Sequence, residues 1–132
     1  MVVAVWSDPH FATKDDHHVA EPTVKPLWDL LYQYRANAAI VLNGHKHNYE
    51  RFSKQDNNGN SASNGIVEVV TGTGGNGHYI FSTPIAPNSV KRNDTDWGVT
   101  ELTLNASSVQ IRFISSAAGF PEKDNVTISL TP

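Results

Sequence analysis

The stretch from Ala38 to Phe52, AAIVLNGHKHNYERF, sets the tightest limits on what this chain can fold into. Ala38 to Leu42 is a short unbroken apolar run, the pattern of a buried strand, and Asn43-Gly44 breaks it. Two histidines one residue apart, His45 and His47, follow the break. On extended backbone, side chains two residues apart leave the same face, so both imidazoles are expected to converge on one point. Two converging neutral imidazoles past the end of a buried strand make half of a zinc, iron or manganese site. A bare H-x-H is also common as ordinary surface or hydrogen-bonded histidine.

Around this stretch the chain reads in order as follows. Val2 to Trp6 is a short apolar run expected to form a first strand. A polar, proline-punctuated loop follows from Ser7 to Thr23; it holds Asp8, His10 and the titratable run Asp15-Asp16-His17-His18. Asp8-Pro9 also suits a simple turn. Thr23 reads as an N-cap and Pro26 suits a first helical turn. Leu27, Leu30, Leu31 and Tyr34 recur at helical spacing with Trp28 widening the face, so a helix to about Arg35 is expected, ended by Asn37. With the flanking strands this makes a strand–helix–strand unit with a right-handed crossover.

Ser53 to Gly65 is a turn-rich polar excursion, and Ile66 to Thr71 a further strand, with alternation only around Glu68. Gly72 to Gly77, GTGGNG, formally satisfies G-x-G-x-x-G after a strand. The dinucleotide reading fails because HYIFSTPIAP follows, with two prolines and no helical period. A glycine loop on the rim of a site is expected instead, with the backbone N–H groups of Gly74 and Gly75 near phosphate. His78 reads as a structural or surface residue. From Trp97 onward the pattern is antiparallel β: Gly98 to Leu104 and Val109 to Ser115 flank the short connection Asn105-Ala106-Ser107-Ser108. Val109, Ile111 and Phe113 should face one way, Gln110 and Arg112 the other, and Val126 to Leu130 should add an edge strand.

Composition narrows the function classes. With 132 residues, 39% hydrophobic and 17% charged, the chain suits one ordinary globular domain, residues 1–132, without repeats or a dividing linker. The net charge of −3 and the lack of a basic run give no nucleic-acid surface. No apolar run approaches membrane-spanning length, and the first six residues are too short for a signal peptide. With no cysteine, any metal must be held by histidine, carboxylate, carbonyl or water.

GHKHNYERF resembles the last metal-binding motif of the calcineurin-like metallophosphoesterases, which in the purple acid phosphatase branch and its bacterial alkaline-phosphatase-like relatives reads GHxHxYER. PLWDLLY, the apolar strand before the histidines, VVTGTGG and DWGVTELTL stand in the order of those relatives. The resemblance spans nearly the whole chain, but only the C-terminal half of the family's catalytic domain. It implies an α/β (α+β) fold: half of a metallophosphoesterase β-sandwich, a mixed sheet with one main helix and a C-terminal antiparallel hairpin. It implies metal-dependent hydrolysis of phosphomonoesters by a metal-activated water, at neutral to alkaline pH. The cofactor is a divalent metal, zinc first, with iron, manganese or magnesium as alternatives. His45 and His47 are the implied ligands. Where relatives end the first strand in a ligating histidine this chain has Ser7, so Asp8 or His10 is the implied replacement. His17 and His18 are the implied phosphate contacts or leaving-group acid, since a histidine near its ordinary pKa of ~6.5 can do that work. Asn43 and Asn48 are implied supporting residues, Asn43 on the catalytic side. Periplasmic or secreted location is also implied.

The first half of the family site uses G-D-x-G, G-D-x-x-Y and G-N-H-[ED], and here no glycine is followed by aspartate. Two readings therefore stay open beside the phosphatase: a non-catalytic metal- or phosphate-binding remnant, and a phosphodiesterase. A half-domain should also leave an apolar sheet face or edge uncovered, so a homodimer is expected, with a small phosphate ester as the other partner.

Overall fold

A computed structural model describes residues 1–35 and 39–130. Its elements run in chain order as β1 (Val2–Trp6), a 3-10 turn (Pro22–Val24), α1 (Lys25–Arg35), β2 (Ala39–Asn43), β3 (Tyr49–Phe52), β4 (Val67–Thr71), β5 (Ser89–Asn93), β6 (Gly98–Leu104), β7 (Ser108–Ser115) and β8 (Glu122–Ser129). One sheet has the order β1-β2-β4-β3-β5 and the other β6-β7-β8. β1, β2 and β4 are mutually parallel, with Val3 opposite Ile40 and Ile40 opposite Val67; β3 pairs antiparallel with both β4 and β5, so it alone runs against the other four. This is the mixed-sheet, one-helix fold that the resemblance implied, the C-terminal hairpin being extended by β8 into three antiparallel strands.

β2 and β4 are buried on both faces, which is why their sequences read as apolar runs rather than alternations. One face of the large sheet packs on the small one: Ile40, Tyr49, Val67 and Val69 meet Val109, Ile111 and Phe113. The strict alternation of β7 supplies that inner face, as expected. The other face packs on Trp28, Phe11, Leu31 and Tyr32 from α1 and the loop before it.

The helical cap is Glu21 rather than Thr23: the Glu21 carboxylate accepts the Thr23 N–H at 2.9 Å and opens the 3-10 turn. The residues that α1 buries are Trp28, Leu31 and Tyr32, while Leu27 is 47% and Leu30 56% exposed. The central strands β2 and β4 of the large sheet are covered on both faces; among the described residues what stands open is its edges β1 and β5, with Val5 71% exposed, the outer face of β6-β7-β8 and the outer face of α1. The helix-ending Asn37 and the first strand residue Ala38 lie outside the described residues. β3 and β5 were not expected as strands.

Candidate functional site

The parallel strands β1, β2 and β4 all end on one side of the sheet, at Trp6, Asn43 and Thr71. In open α/β sheets ligands bind beyond the carboxyl ends of such strands. Asp8, the histidine pair and the glycine loop leave from those three ends.

Between β2 and β3 the backbone makes two successive three-residue turns, Lys46 N–H to Gly44 C=O at 2.6 Å and Asn48 N–H to Lys46 C=O at 2.8 Å. His45 takes φ 60°, a left-handed conformation that costs a side-chain-bearing residue about 1–2 kcal/mol. The extended backbone on which convergence of His45 and His47 was expected is therefore absent. Gly72 lets this loop lie on the end of β4: a Cβ there would stand 1.9 Å from the Lys46 carbonyl oxygen. Its N–H donates to the Asn48 carbonyl at 3.1 Å.

The histidines gather by another route. His18 meets His45 edge-to-face, with ring centroids 4.3 Å apart, and Asp8 Oδ1 lies 3.6 Å from His45 Nδ1. Tyr79 stacks on His47 at 4.0 Å and 16°, and on His18 at 5.1 Å and 21°; His17 lies 4.3 Å from it. Thus Asp8, His17, His18, His45 and His47 occupy one cluster. His47 Nδ1 donates to the Gly77 carbonyl at 2.8 Å, because a carbonyl can only accept. That tautomer leaves the Nε2 lone pair free, the arrangement in which metal-ligating histidines are held.

His10 is not in this cluster. Its ring packs 4.3 Å from Phe11 and 6.0 Å from Trp28, with Nδ1 at the Glu21 carbonyl, and burial lowers its pKa. Asn43 spends its amide on structure, donating to the Trp6 and Asp8 carbonyls that end β1. Gly74 and Gly75 line a separate open cavity of about 350 Å³ with Thr73, Trp97 and Val99. Gly75, at φ 123°, needs to be glycine. His78 stacks on Trp97 at 5.1 Å, the structural place expected for it.

What holds the loop of residues 7–23 over the strand ends is a set of buried ionisable side chains. Lys46, unexposed, lies 3.2 Å from Asp15 Oδ2 and donates to the Thr13 and His18 carbonyls. Asp15 Oδ1 accepts the N–H groups of His17 at 3.0 Å and His18 at 2.6 Å, so it orients both residues through the backbone. Glu50 accepts from the Thr13 N–H and hydroxyl, and Glu68 from the N–H groups of His10 and Phe11. Burial pushes the Glu68 carboxyl well above its ordinary range; the two N–H groups oppose this. For His18, burial and then the adjacent His45 lower the pKa, so its resting form near neutrality is the imidazole, a weaker acid candidate than an unperturbed histidine. Sequence reasoning missed Tyr79, Lys46 and the structural part of Asp15. Only the position of Lys46 between two histidines, opposite in alternation, hinted at burial.

Asn43 Oδ1, Asn48 Oδ1 and His18 Nδ1 are buried with no hydrogen-bond partner among the described residues. The two amide oxygens can only accept, so each by itself suits a cation or a hydrogen-bond donor. Yet among the described residues no three histidine, aspartate or glutamate side chains come together as a metal group. The cluster gathers histidines beside Asp8 without a complete set of metal ligands among the described residues.

Residues 65–127 match the family model described as iron/zinc purple acid phosphatase-like protein C. The chain is 33% identical over 121 residues to an Arabidopsis thaliana protein named probable inactive purple acid phosphatase 1, an alignment covering 83% of this chain and 19% of that protein. It superposes on the structure of a purple acid phosphatase isolated from yellow lupin (Lupinus luteus) seeds with a TM-score of 0.74 and 21% identity, covering 96% of this chain and 24% of that one. The chain thus spans about a fifth of the curated relative and a quarter of the solved one.

Proposed function

Since the chain belongs to the purple-acid-phosphatase-like metallophosphoesterases as a C-terminal part of their fold, we propose that it carries the histidine side of a site hydrolysing phosphomonoesters at neutral to alkaline pH. The observation that carries this reading is the gathering of four histidines beyond the carboxyl ends of β1, β2 and β4, with His47 held in the ligand-ready tautomer. His45 and His47 would hold a divalent ion, zinc first, with Asp8 beside His45. Such an ion supplies Lewis acidity and activates water. The chain's own residues bind and orient the ester: His17 and His18, fixed through Asp15, face the same cluster and donate to phosphate oxygens. Further ligands must come from carboxylate-bearing segments, since the three motifs of the family's other half are absent here.

The test is metal content by elemental analysis together with turnover of a chromogenic phosphate monoester and diester, in wild type and His45→Ala/His47→Ala. Equal metal in both proteins would end the metal assignment, and preference for the diester would move the reaction to phosphodiester cleavage. Metal bound without turnover would favour the second reading, a non-catalytic binding remnant, which the relative named probable inactive supports. The open β1 edge and the exposed Leu27 and Leu30 favour a homodimer as the partner arrangement. A sedimentation profile of a clean monomer at micromolar concentration would contradict it.

A further inference from the structure

Tyr79 joins the two histidine-bearing segments, and we infer that it is the positioning residue that fixes the ring of His47 and spaces it from His17 and His18. In its metal-affinity consequence this rests on the ligand reading of His47; in its effect on the ring it stands alone. The backbone of residue 79 is clamped to the histidine loop at both ends. Its N–H donates to the His47 carbonyl at 3.1 Å, and its carbonyl accepts from Asn48 Nδ2 at 3.2 Å. The next residue is tied to the other segment: Ile80 N–H donates to Asp16 Oδ1 at 3.0 Å, and Asp16 N–H to the Ile80 carbonyl at 3.2 Å. Tyr79 is therefore carried by both segments at once.

Its ring acts on what it touches. His47 lies nearly parallel to it at 4.0 Å, so the imidazole cannot tilt out of the stacking plane without losing that contact. Rotation of the imidazole by half a turn would exchange Nδ1 for a carbon at the Gly77 carbonyl and lose the 2.8 Å hydrogen bond. Stack and hydrogen bond together hold Nε2 in one direction. The same phenol ring is stacked on His18 and lies 4.3 Å from His17, so it sets the separation between the proposed ligand and the proposed phosphate contacts. Every one of these contacts needs the ring and none needs the hydroxyl.

The test compares wild type with Tyr79→Phe, Tyr79→Leu and Tyr79→Ala in the full chain, without metal and then with zinc. In metal-free protein, nitrogen NMR of the histidine rings reads the tautomer of His47, and its ring protons carry the upfield shift of a stacked aromatic. Wild type and Tyr79→Phe should show the Nδ1–H tautomer and the upfield shift; Tyr79→Leu and Tyr79→Ala should lose the shift and show mixed tautomers. Zinc affinity measured by calorimetry should follow, unchanged in Tyr79→Phe and lowered about tenfold or more in the other two, the range seen when a supporting partner of a ligand is removed. Wild-type ring signals in Tyr79→Leu would overturn the inference; that variant keeps an apolar side chain larger than alanine's and decides the matter if Tyr79→Ala fails to fold. If wild type binds no zinc, the metal reading falls, and the metal-free NMR comparison still decides the role of Tyr79.

Discussion

Replacing Lys46 by methionine should unpin the loop that presents His17 and His18. The ammonium is unexposed, lies 3.2 Å from Asp15 Oδ2, and donates to the carbonyls of Thr13 and His18. Methionine fills most of the volume of the lysine stem, so the loss is electrostatic rather than a cavity. Removing one partner of a buried pair costs about 3–5 kcal/mol, because the remaining charge is buried uncompensated. Asp15 keeps three donors, the N–H groups of His17 and His18 and the Asn48 amide, which places the cost near the lower end, about 3 kcal/mol. For a domain of this size that lowers Tm by about 10 °C. Urea unfolding and calorimetry measure it. The double variant Lys46→Met/Asp15→Asn should recover about 1 kcal/mol or more, since asparagine still accepts the two backbone N–H groups while shedding the charge. A loss below about 1 kcal/mol in Lys46→Met, the range of exposed pairs, would refute the reasoning. So would a double variant less stable than the single one.

Three further outcomes are expected. Gly72→Ala should destabilise by at least about 3 kcal/mol in denaturant titration, because its Cβ would collide with the Lys46 carbonyl, whereas Gly74→Ala, whose Cβ meets nothing within 4 Å, should stay within about 0.5 kcal/mol. Glu68 carries a pKa raised above 4.5 by burial, so the folded state keeps a proton that the unfolded state has lost; its contribution is full below pH 4.5 and fades as pH rises through the folded value. Subtracting the pH profile of stability of Glu68→Gln from that of wild type should therefore give a difference that falls with rising pH, and a rising one would contradict the assignment. Asp124 is pushed up by burial but held below 3.8 overall by Arg51 and the Tyr49 hydroxyl, which it accepts at 2.6 and 2.8 Å, so its stabilisation is present above pH 3.8 and lost as pH falls. Asp124→Asn should cost about 2–3 kcal/mol near neutrality, and the gap in urea midpoint should close on acidification.

Local pattern was enough for the elements that bury apolar surface. β1, β2, β4, β6 and β7 stand within a residue of where runs and alternation put them, because those signals come from the strand's own side chains. The family resemblance is likewise met by the family match over residues 65–127, downstream of GHKHNYERF, and by the fold. β3 was illegible because YERF buries charge that is paired far along the chain, Glu50 with Thr13, 37 residues away, and Arg51 with Asp124, 73 away; β5, SVKRN, is half-exposed and has no buried apolar face to mark it. The face of α1 was misjudged for a related reason. Leucine spacing shows which residues would suit burial, but the sheet and Phe11 select Trp28, Leu31 and Tyr32. At the site, sequence named Asp8, His17, His18, His45 and His47, and only the tertiary structure decides that they share one cluster while His10 and Asn43 serve elsewhere. The cause is that the cluster is not built by the spacing of H-x-H at all. A loop turned left-handed at His45, a glycine that lets it lie on β4, and a tyrosine from another segment bring the rings together, and none of these leaves a local trace in the sequence.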